Sequence, residues 1–128
     1  MIDLAPSLWH RFVMDQPIYK IAPRPLWEAA KAKGQFDGAP VDEADGFIHF
    51  STGGQVRETA ARHFSGQHDL VLIAVDPDRL GDALRYEKSR GGALFPHLFG
   101  PLPLDAVVWV EDLPLGIDGG HQFPGSVR

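Results

Sequence analysis

The chain has 128 residues, of which 44% are hydrophobic, and a formal net charge of −5 with its six histidines taken as neutral. This length suits one domain with its own core, and the apolar fraction excludes an intrinsically disordered chain. The absence of cysteine excludes disulfides, thiolate metal ligands and cysteine nucleophiles. The acidic balance argues against long nucleic acid as a partner, because phosphate neutralisation needs clustered Lys and Arg, but it leaves a small nucleotide-like ligand open.

The sequence divides into an N-terminal appendage at 1–16, a core at 17–113 and a Gly-rich C-terminal tail at 114–128. The appendage shows no basic, apolar pattern typical of a signal peptide. Nothing along the sequence approaches the run of about 20 apolar residues typical of a membrane span. We therefore expect a cytoplasmic protein that does not enter a membrane. Trp9 and Phe12 lie on an apolar stripe of a predicted short helix, which serves either packing or self-association. We expect a monomer or a weak homodimer.

The first part of the core predicts a strand, a helix and a loop. Residues 17–22 read as a strand in which Lys20 lies on an apolar face. Pro25 suits the first helical position and Gly34 the position just past the end, which predicts a helix between them. Residues 35–46 are polar, contain four acids and predict a loop.

A second strand is predicted at 45–51, where alternation with a period of two places His49 and Ser51 on one face. A helix is predicted to follow at once. Thr52 with Gln55 three residues later is the capping-box pattern that begins such a helix.

The second half of the core alternates apolar runs with turn-forming residues. The continuously apolar run 70–75 predicts a strand covered on both faces, and 76–80 predicts a helical turn. A short strand is predicted at 83–87, a long ordered loop at 88–105 and a last strand at 106–110. This order of elements predicts an α+β or α/β fold with a mixed β-sheet.

A strand end just before a helix places His49, Ser51 and Thr52 beside free backbone N–H groups. An imidazole, hydroxyls and N–H donors in one volume suit an anionic or sugar-hydroxyl ligand. The alternative is structural: His49 bonds to a neighbouring carbonyl group, and Ser51 caps the helix.

Two further charged groups have both a functional and a structural interpretation. Arg62 is either a phosphate-binding residue or one half of an exposed pair with Glu58, worth only ~0.3–0.5 kcal/mol. Glu87 and His97 are either an acid–base pair or a structural hydrogen bond that ties down the long loop. His49, His97 and Glu87 also make a conceivable donor set for zinc or iron, but their spacing gives a metal no support, and none is expected.

Three segments of the sequence resemble a known bacterial family, catalogued as family 952 of the domains of unknown function. They are IYKI at 18–21, GFIHFST at 46–52 together with Gln55, and FPHLFGPL at 95–102. The resemblance covers about residues 17–113. That family is similar in turn to the ADP-ribosyltransferase-like superfamily, and especially to RNA 2′-phosphotransferases.

The resemblance to the phosphotransferases rests on particular positions. His49 and Ser51 match their His-x-Ser strand end, and Arg62 with His63 matches an Arg-His pair at the end of the next helix. Lys20 stands where those enzymes carry a His. The resemblance implies an ADP-ribosyltransferase-like α+β fold with a mixed, split β-sheet and flanking helices. Its two small sheets would press together, with an NAD-binding cleft between them.

The resemblance also implies roles for the candidate residues. His49 and Ser51 would hold the nicotinamide ribose or an adjacent phosphate, and Arg62 would neutralise a phosphoryl group as charge develops. The predicted catalytic residues are His49, Glu87 and His97. The predicted ligand-binding residues are Lys20, Ser51, Thr52 and Arg62.

Three functional hypotheses follow from the sequence. The leading one is an NAD- or nucleotide-binding transferase of the ADP-ribosyl or phosphoryl type, with NAD as substrate. The second is a non-catalytic module of the same fold that binds a small ligand. The third is a metal-dependent enzyme that uses His49, His97 and Glu87.

Overall fold

The computed structural model describes residues 16–128, so the helix predicted in the appendage lies outside the described residues. The strands are β1 (Ile18–Pro23), β2 (Gln35–Phe36), β3 (Ile48–His49), β4 (Ser51–Thr52), β5 (Leu70–Val75), β6 (Leu84–Lys88), β7 (Leu94–Leu98), β8 (Leu102–Pro103) and β9 (Val107–Asp112). The α-helices are α1 (Arg24–Lys33), α2 (Pro40–Asp45) and α3 (Val56–His63). Short 3-10 turns span Pro77–Arg79, Gly81–Ala83, Arg90–Gly92 and Leu104–Ala106.

The fold is α+β with a split β-sheet and flanking helices, as the sequence predicts. The strands form a four-stranded sheet in the order β4-β1-β5-β9, a three-stranded sheet in the order β3-β7-β6 and the pair β2-β8. The expected mixture of strand directions is replaced by antiparallel ladders throughout residues 16–128. Two neighbouring parallel strands need a crossover connection between them, usually a helix, and the helices of residues 16–128 do not provide one.

Strand β5 is the centre of the molecule and is buried along its whole length, as its apolar run predicts. One face of its sheet packs Ile18 and Ile73 against Ile48 and Leu98 of the three-stranded sheet. The opposite face forms a second apolar cluster, in which Tyr19, Ile21 and Leu72 pack against Val56 and Ala60 of α3, with Leu113 also buried there.

Two segments expected to be loops contain regular structure. The acidic segment 35–46 forms β2 and α2, and the Gly/Pro-rich segment 88–105 contains β7 and β8. Strand β7 is the middle strand of its sheet despite Pro96. Its regular structure comes from pairing on both sides, which proline and glycine conceal in the sequence.

The single strand expected at 45–51 is wrong, because the chain changes sheets at Phe50. Strand β3 pairs Ile48 with Leu98 in the three-stranded sheet, whereas β4 pairs Ser51 with Tyr19 in the four-stranded sheet. Buried Phe50 lies between the two strands and belongs to the core that joins the sheets. Alternation within one strand therefore does not relate His49 to Ser51.

The predicted helix signals are largely confirmed. The Thr52 N–H donates to Gln55 Oε1 at 3.0 Å, which is one half of the capping box, and the α-helix itself begins at Val56. Gly34 follows α1 in the left-handed conformation, and its N–H donates to the Ala30 carbonyl. Among residues 16–128, no helix has the length and apolarity needed to cross a membrane.

We expect Gly34→Ala to lower the free energy of unfolding by about 1 kcal/mol, because Gly34 has φ of +101° with no neighbouring atom within 4 Å of an added Cβ. The cost is therefore conformational rather than steric. Gly54→Ala is the matched control, since Gly54 has open space and no positive φ. Urea denaturation of both variants tests this expectation, and equal effects would contradict it.

Candidate functional site

One face of the β3-β7-β6 sheet gathers the ionisable and aromatic side chains; we call it the histidine face. Directly opposite residues share a face of a sheet, and His97 lies opposite His49 on one side and Arg85 on the other. Glu87 follows Arg85 by two residues and points the same way. The rings of His49 and His97 are 5.6 Å apart between centroids. The histidine face consists of Phe47, His49, Arg85, Glu87, His97 and Phe99.

Aromatic rings cover the two histidines. Phe47 stacks on His97 with centroids 4.1 Å apart, and its centroid is 4.6 Å from that of His49. Phe99, exposed to 37%, lies 5.2 Å from Phe47, and the Arg85 guanidinium carbon lies 5.1 Å from the Phe99 centroid. The face therefore offers aromatic surface and a cation beside two imidazoles.

A buried ion pair between Lys20 and Asp42 holds His49 in this arrangement. Lys20 is 5% exposed and Asp42 is 1% exposed, and Lys20 Nζ lies 2.8 Å from Asp42 Oδ2. The same carboxylate accepts hydrogen bonds from the Ala39 N–H at 2.7 Å and the His49 N–H at 3.1 Å. These additional donors satisfy the carboxylate, which burial would otherwise destabilise.

Burial acts to raise the pKa of Asp42. The hydrogen bond from His49 and the charge and hydrogen bond of Lys20 outweigh it and lower that pKa from 3.8 to about 2. Burial lowers the pKa of Lys20, and the neighbouring Asp42 opposes this shift. Asp42 is therefore an ionised acceptor at neutral pH.

Two carboxylates hold the His49 ring. Its Nδ1–H donates to Asp42 Oδ1 at 2.6 Å, and its Nε2 lies 2.9 Å from Asp45 Oδ2. A neutral imidazole has one N–H, so only the imidazolium donates to both carboxylates. Asp45 is 49% exposed, and the outward nitrogen of His49 therefore lies beside a carboxylate at the surface.

Glu87 and His97, ten residues apart in the chain, are in direct contact. His97 Nδ1 lies 2.8 Å from Glu87 Oε1. The His97 side chain is 7% exposed and that of Glu87 is 41% exposed. The histidine face thus contains two imidazoles, each hydrogen-bonded through Nδ1 to a carboxylate. Such a bond fixes the orientation of the ring and determines which of its nitrogens carries a proton.

The structure does not bring Ser51 or Arg62 to His49. Ser51 lies on the α3 side of the four-stranded sheet, where its Oγ is 2.8 Å from Thr59 Oγ1. Arg62 is 52% exposed on α3 and donates through Nε to Glu58 at 2.7 Å, the structural alternative expected from the sequence.

Thr52 and Lys20 also have structural partners. Thr52, half-buried, is held through its N–H by Gln55, and Lys20 is occupied by Asp42. The roles assigned to these residues in ligand binding stay predictions.

Within residues 16–128, no group of three His, Asp or Glu side chains is placed to hold a metal ion. The donor set proposed from His49, His97 and Glu87 therefore lacks metal-binding geometry in the described structure.

Sequence reasoning missed Asp42, Phe47 and Arg85. One signal pointed to Asp42: a lysine on an apolar strand face needs a buried carboxylate partner, and the acidic segment 35–46 supplies four candidates. Nothing local distinguishes Arg85 from other surface cations, because its position depends on the pairing of β6 with β7.

Residues 21–110 match the family described as "Protein of unknown function (DUF952)". The chain belongs to this family. The crystal structure of protein CC0527 from Caulobacter crescentus is similar at 55% identity and a TM-score of 0.80, covering 83% of this chain and 93% of that one. The solution NMR structure of CC0527 is also 55% identical, with a TM-score of 0.75, covering 83% of this chain and 91% of that one. No curated protein matches the chain.

We expect Asp42→Asn to lower the free energy of unfolding by about 3–5 kcal/mol, because it leaves the Lys20 charge buried without a counter-charge. Asp45→Asn changes the exposed carboxylate that contacts Nε2 of the His49 ring, and it should lower the free energy of unfolding by less than about 1 kcal/mol. Chemical denaturation at pH 7 compares the two variants. Similar losses would show that the ion pair does not anchor the site.

We expect the stability difference between wild type and Asp42→Asn to shrink by about 2 kcal/mol as the pH falls from 5 to 2. Folding lowers the pKa of Asp42 from 3.8 to about 2, so the ionised group contributes fully above pH 4 and loses this contribution as pH falls towards 2. Denaturation curves across this range measure the effect, with Asp45→Asn as control. A constant difference would contradict the assigned pKa.

Proposed function

We propose that the protein binds NAD or a related nucleotide on the histidine face and transfers its ADP-ribosyl or phosphoryl group. The observation that carries this proposal is the pair of imidazoles, each bonded to a carboxylate, with ring centroids 5.6 Å apart. Once the Phe47 ring that covers them turns aside, two oriented imidazoles this close can reach the same ribose or phosphate group, where they serve general acid and base chemistry.

The surroundings of the histidines support a nucleotide as the ligand. Exposed aromatic surface at Phe99 suits a base or nicotinamide ring, and the adjacent Arg85 guanidinium suits a phosphate. Within residues 16–128, Arg85 forms no ion pair with a carboxylate, whereas Arg62 is paired with Glu58. We therefore assign to Arg85 the phosphate-binding role that the sequence assigned to Arg62.

In ADP-ribosyl transfer, the bond between ribose C1′ and the nicotinamide nitrogen breaks, and nicotinamide leaves with the bonding electron pair. The acceptor's hydroxyl oxygen forms the new bond to C1′ and gives up its proton. When His97 donates its Nδ1–H to Glu87, its Nε2 carries the lone pair. We assign to this Nε2 the proton that the acceptor's hydroxyl group gives up. His49 would donate through Nε2 to a ligand oxygen once Asp45 moves aside.

A non-catalytic binding module is the second candidate function. Asp45 favours it, because its carboxylate already contacts His49 Nε2 and repels a phosphate placed there. The two candidates predict the same binding site, and turnover separates them.

Thermal unfolding with and without millimolar NAD tests the proposal. A ligand at about 100 times its Kd adds ~2.7 kcal/mol of stability, on the order of 5–15 °C in Tm for a domain of this size. We expect this shift in wild type, its loss in Arg85→Gln and His49→Ala, and its retention in the matched control Arg62→Gln. An unchanged wild-type Tm would overturn NAD binding.

Release of nicotinamide from NAD then distinguishes transfer from binding alone. We expect slow release by wild type and at least tenfold slower release by His97→Gln, because general base catalysis is commonly worth 10²–10⁴-fold. A Tm shift without release would leave the non-catalytic module as the function.

A further inference from the structure

A concave site lies on the opposite side of the four-stranded sheet from the histidine face. A cavity of about 350 Å³ opens between α3 and the C-terminal segment. Its size is within the range of small-molecule sites. The cavity is lined by Arg57, Ala60, Ala61, Ser65, Gly119, Gly120, His121 and Phe123.

The cavity combines apolar surface with one cation. Ala60 is buried and Phe123 packs on the same apolar cluster, so both present carbon surface to the cavity. The Arg57 guanidinium carbon lies 5.1 Å from the Phe123 centroid. Within residues 16–128, Arg57 forms no ion pair with a carboxylate, and the lining contains no acidic side chain.

Hydrogen bonds fix the wall formed by the C-terminal segment. The Gly116 N–H donates to the Gly120 carbonyl at 2.6 Å, and the Gly119 N–H donates to the Gly116 carbonyl at 3.0 Å. His121 donates its Nε2–H to the Gln67 carbonyl at 2.9 Å, which ties this segment to the turn that follows α3. Because this wall is ordered before a ligand binds, binding does not carry the entropic cost of ordering the wall.

We propose that this cavity binds a small aromatic carboxylate, independently of the function proposed for the histidine face. An aromatic ring would lie against Ala60 and Phe123, and the carboxylate would accept hydrogen bonds from Arg57. A planar guanidinium can stack on an aromatic ring while its N–H edge binds a carboxylate. In a chain of net charge −5, this unpaired arginine beside apolar surface favours an anion over a neutral or cationic ligand.

A titration with 2-naphthoate, followed by backbone amide NMR shifts, tests the proposal. We expect shifts concentrated at Ala61, Gly119, Gly120 and His121. We expect 2-naphthamide, which has the same rings without the charge, to bind about tenfold more weakly, and Arg57→Gln to weaken naphthoate binding by about the same factor. Equal affinities for the two probes, or an unchanged affinity in Arg57→Gln, would overturn the assignment to an anion.

Two matched variants on α3 locate the site. Ala61→Phe places a ring in the cavity from an exposed helix position, and we expect it to abolish the naphthoate shifts while Tm stays near that of wild type. Arg62→Gln changes the adjacent arginine, which is paired with Glu58 and does not line the cavity, and should leave the affinity unchanged. Naphthoate shifts that persist in Ala61→Phe, or that centre on His49 and His97, would refute the proposed site.

Discussion

The buried ion pair between Lys20 and Asp42 is the interaction on which the histidine face depends. It joins the central sheet to α2, and through the same carboxylate it holds both the backbone and the ring of His49. Removing two charges from water is costly, and an ion pair repays that cost only when further hydrogen bonds complete it. Here Ala39 and His49 provide them. A stabilising contact of the core and the orientation of a candidate catalytic ring therefore rest on one side chain.

The change of sheet at Phe50 separates the molecule into two chemically different sides. Before it, the chain contributes His49 to the three-stranded sheet, where carboxylates and aromatic rings surround the imidazoles. After it, the chain contributes Ser51 to the side covered by α3, where Thr59 is its partner. The proposed nucleotide site and the proposed carboxylate site lie on these two sides, so each can be altered without changing the other's side chains.

Local charge matters more than net charge for both proposed sites. The chain is acidic overall, yet Arg85 and Arg57 each lie on a phenylalanine ring rather than on a carboxylate within the described residues. Stacking on a ring leaves the N–H edges of a guanidinium available to an anion, whereas an ion pair such as that between Arg62 and Glu58 occupies them. Which arginine serves a ligand is therefore a question of its neighbours, not of its spacing in the sequence.

Elements with local signals could be predicted from the residue order alone. The apolar run of β5, the proline and glycine that bound α1, and the Thr52–Gln55 pair that precedes α3 each depend on residues a few positions apart. The residues of the site come together only through long-range contacts. Lys20 meets Asp42 across 22 residues, Arg85 faces His97 through strand pairing, and Ser51 departs from His49 because the chain changes sheets. These contacts depend on how the strands pair and on which faces are buried. The free energy that selects such a pairing comes from the whole core, so the residues next to a contact in the sequence do not reveal it.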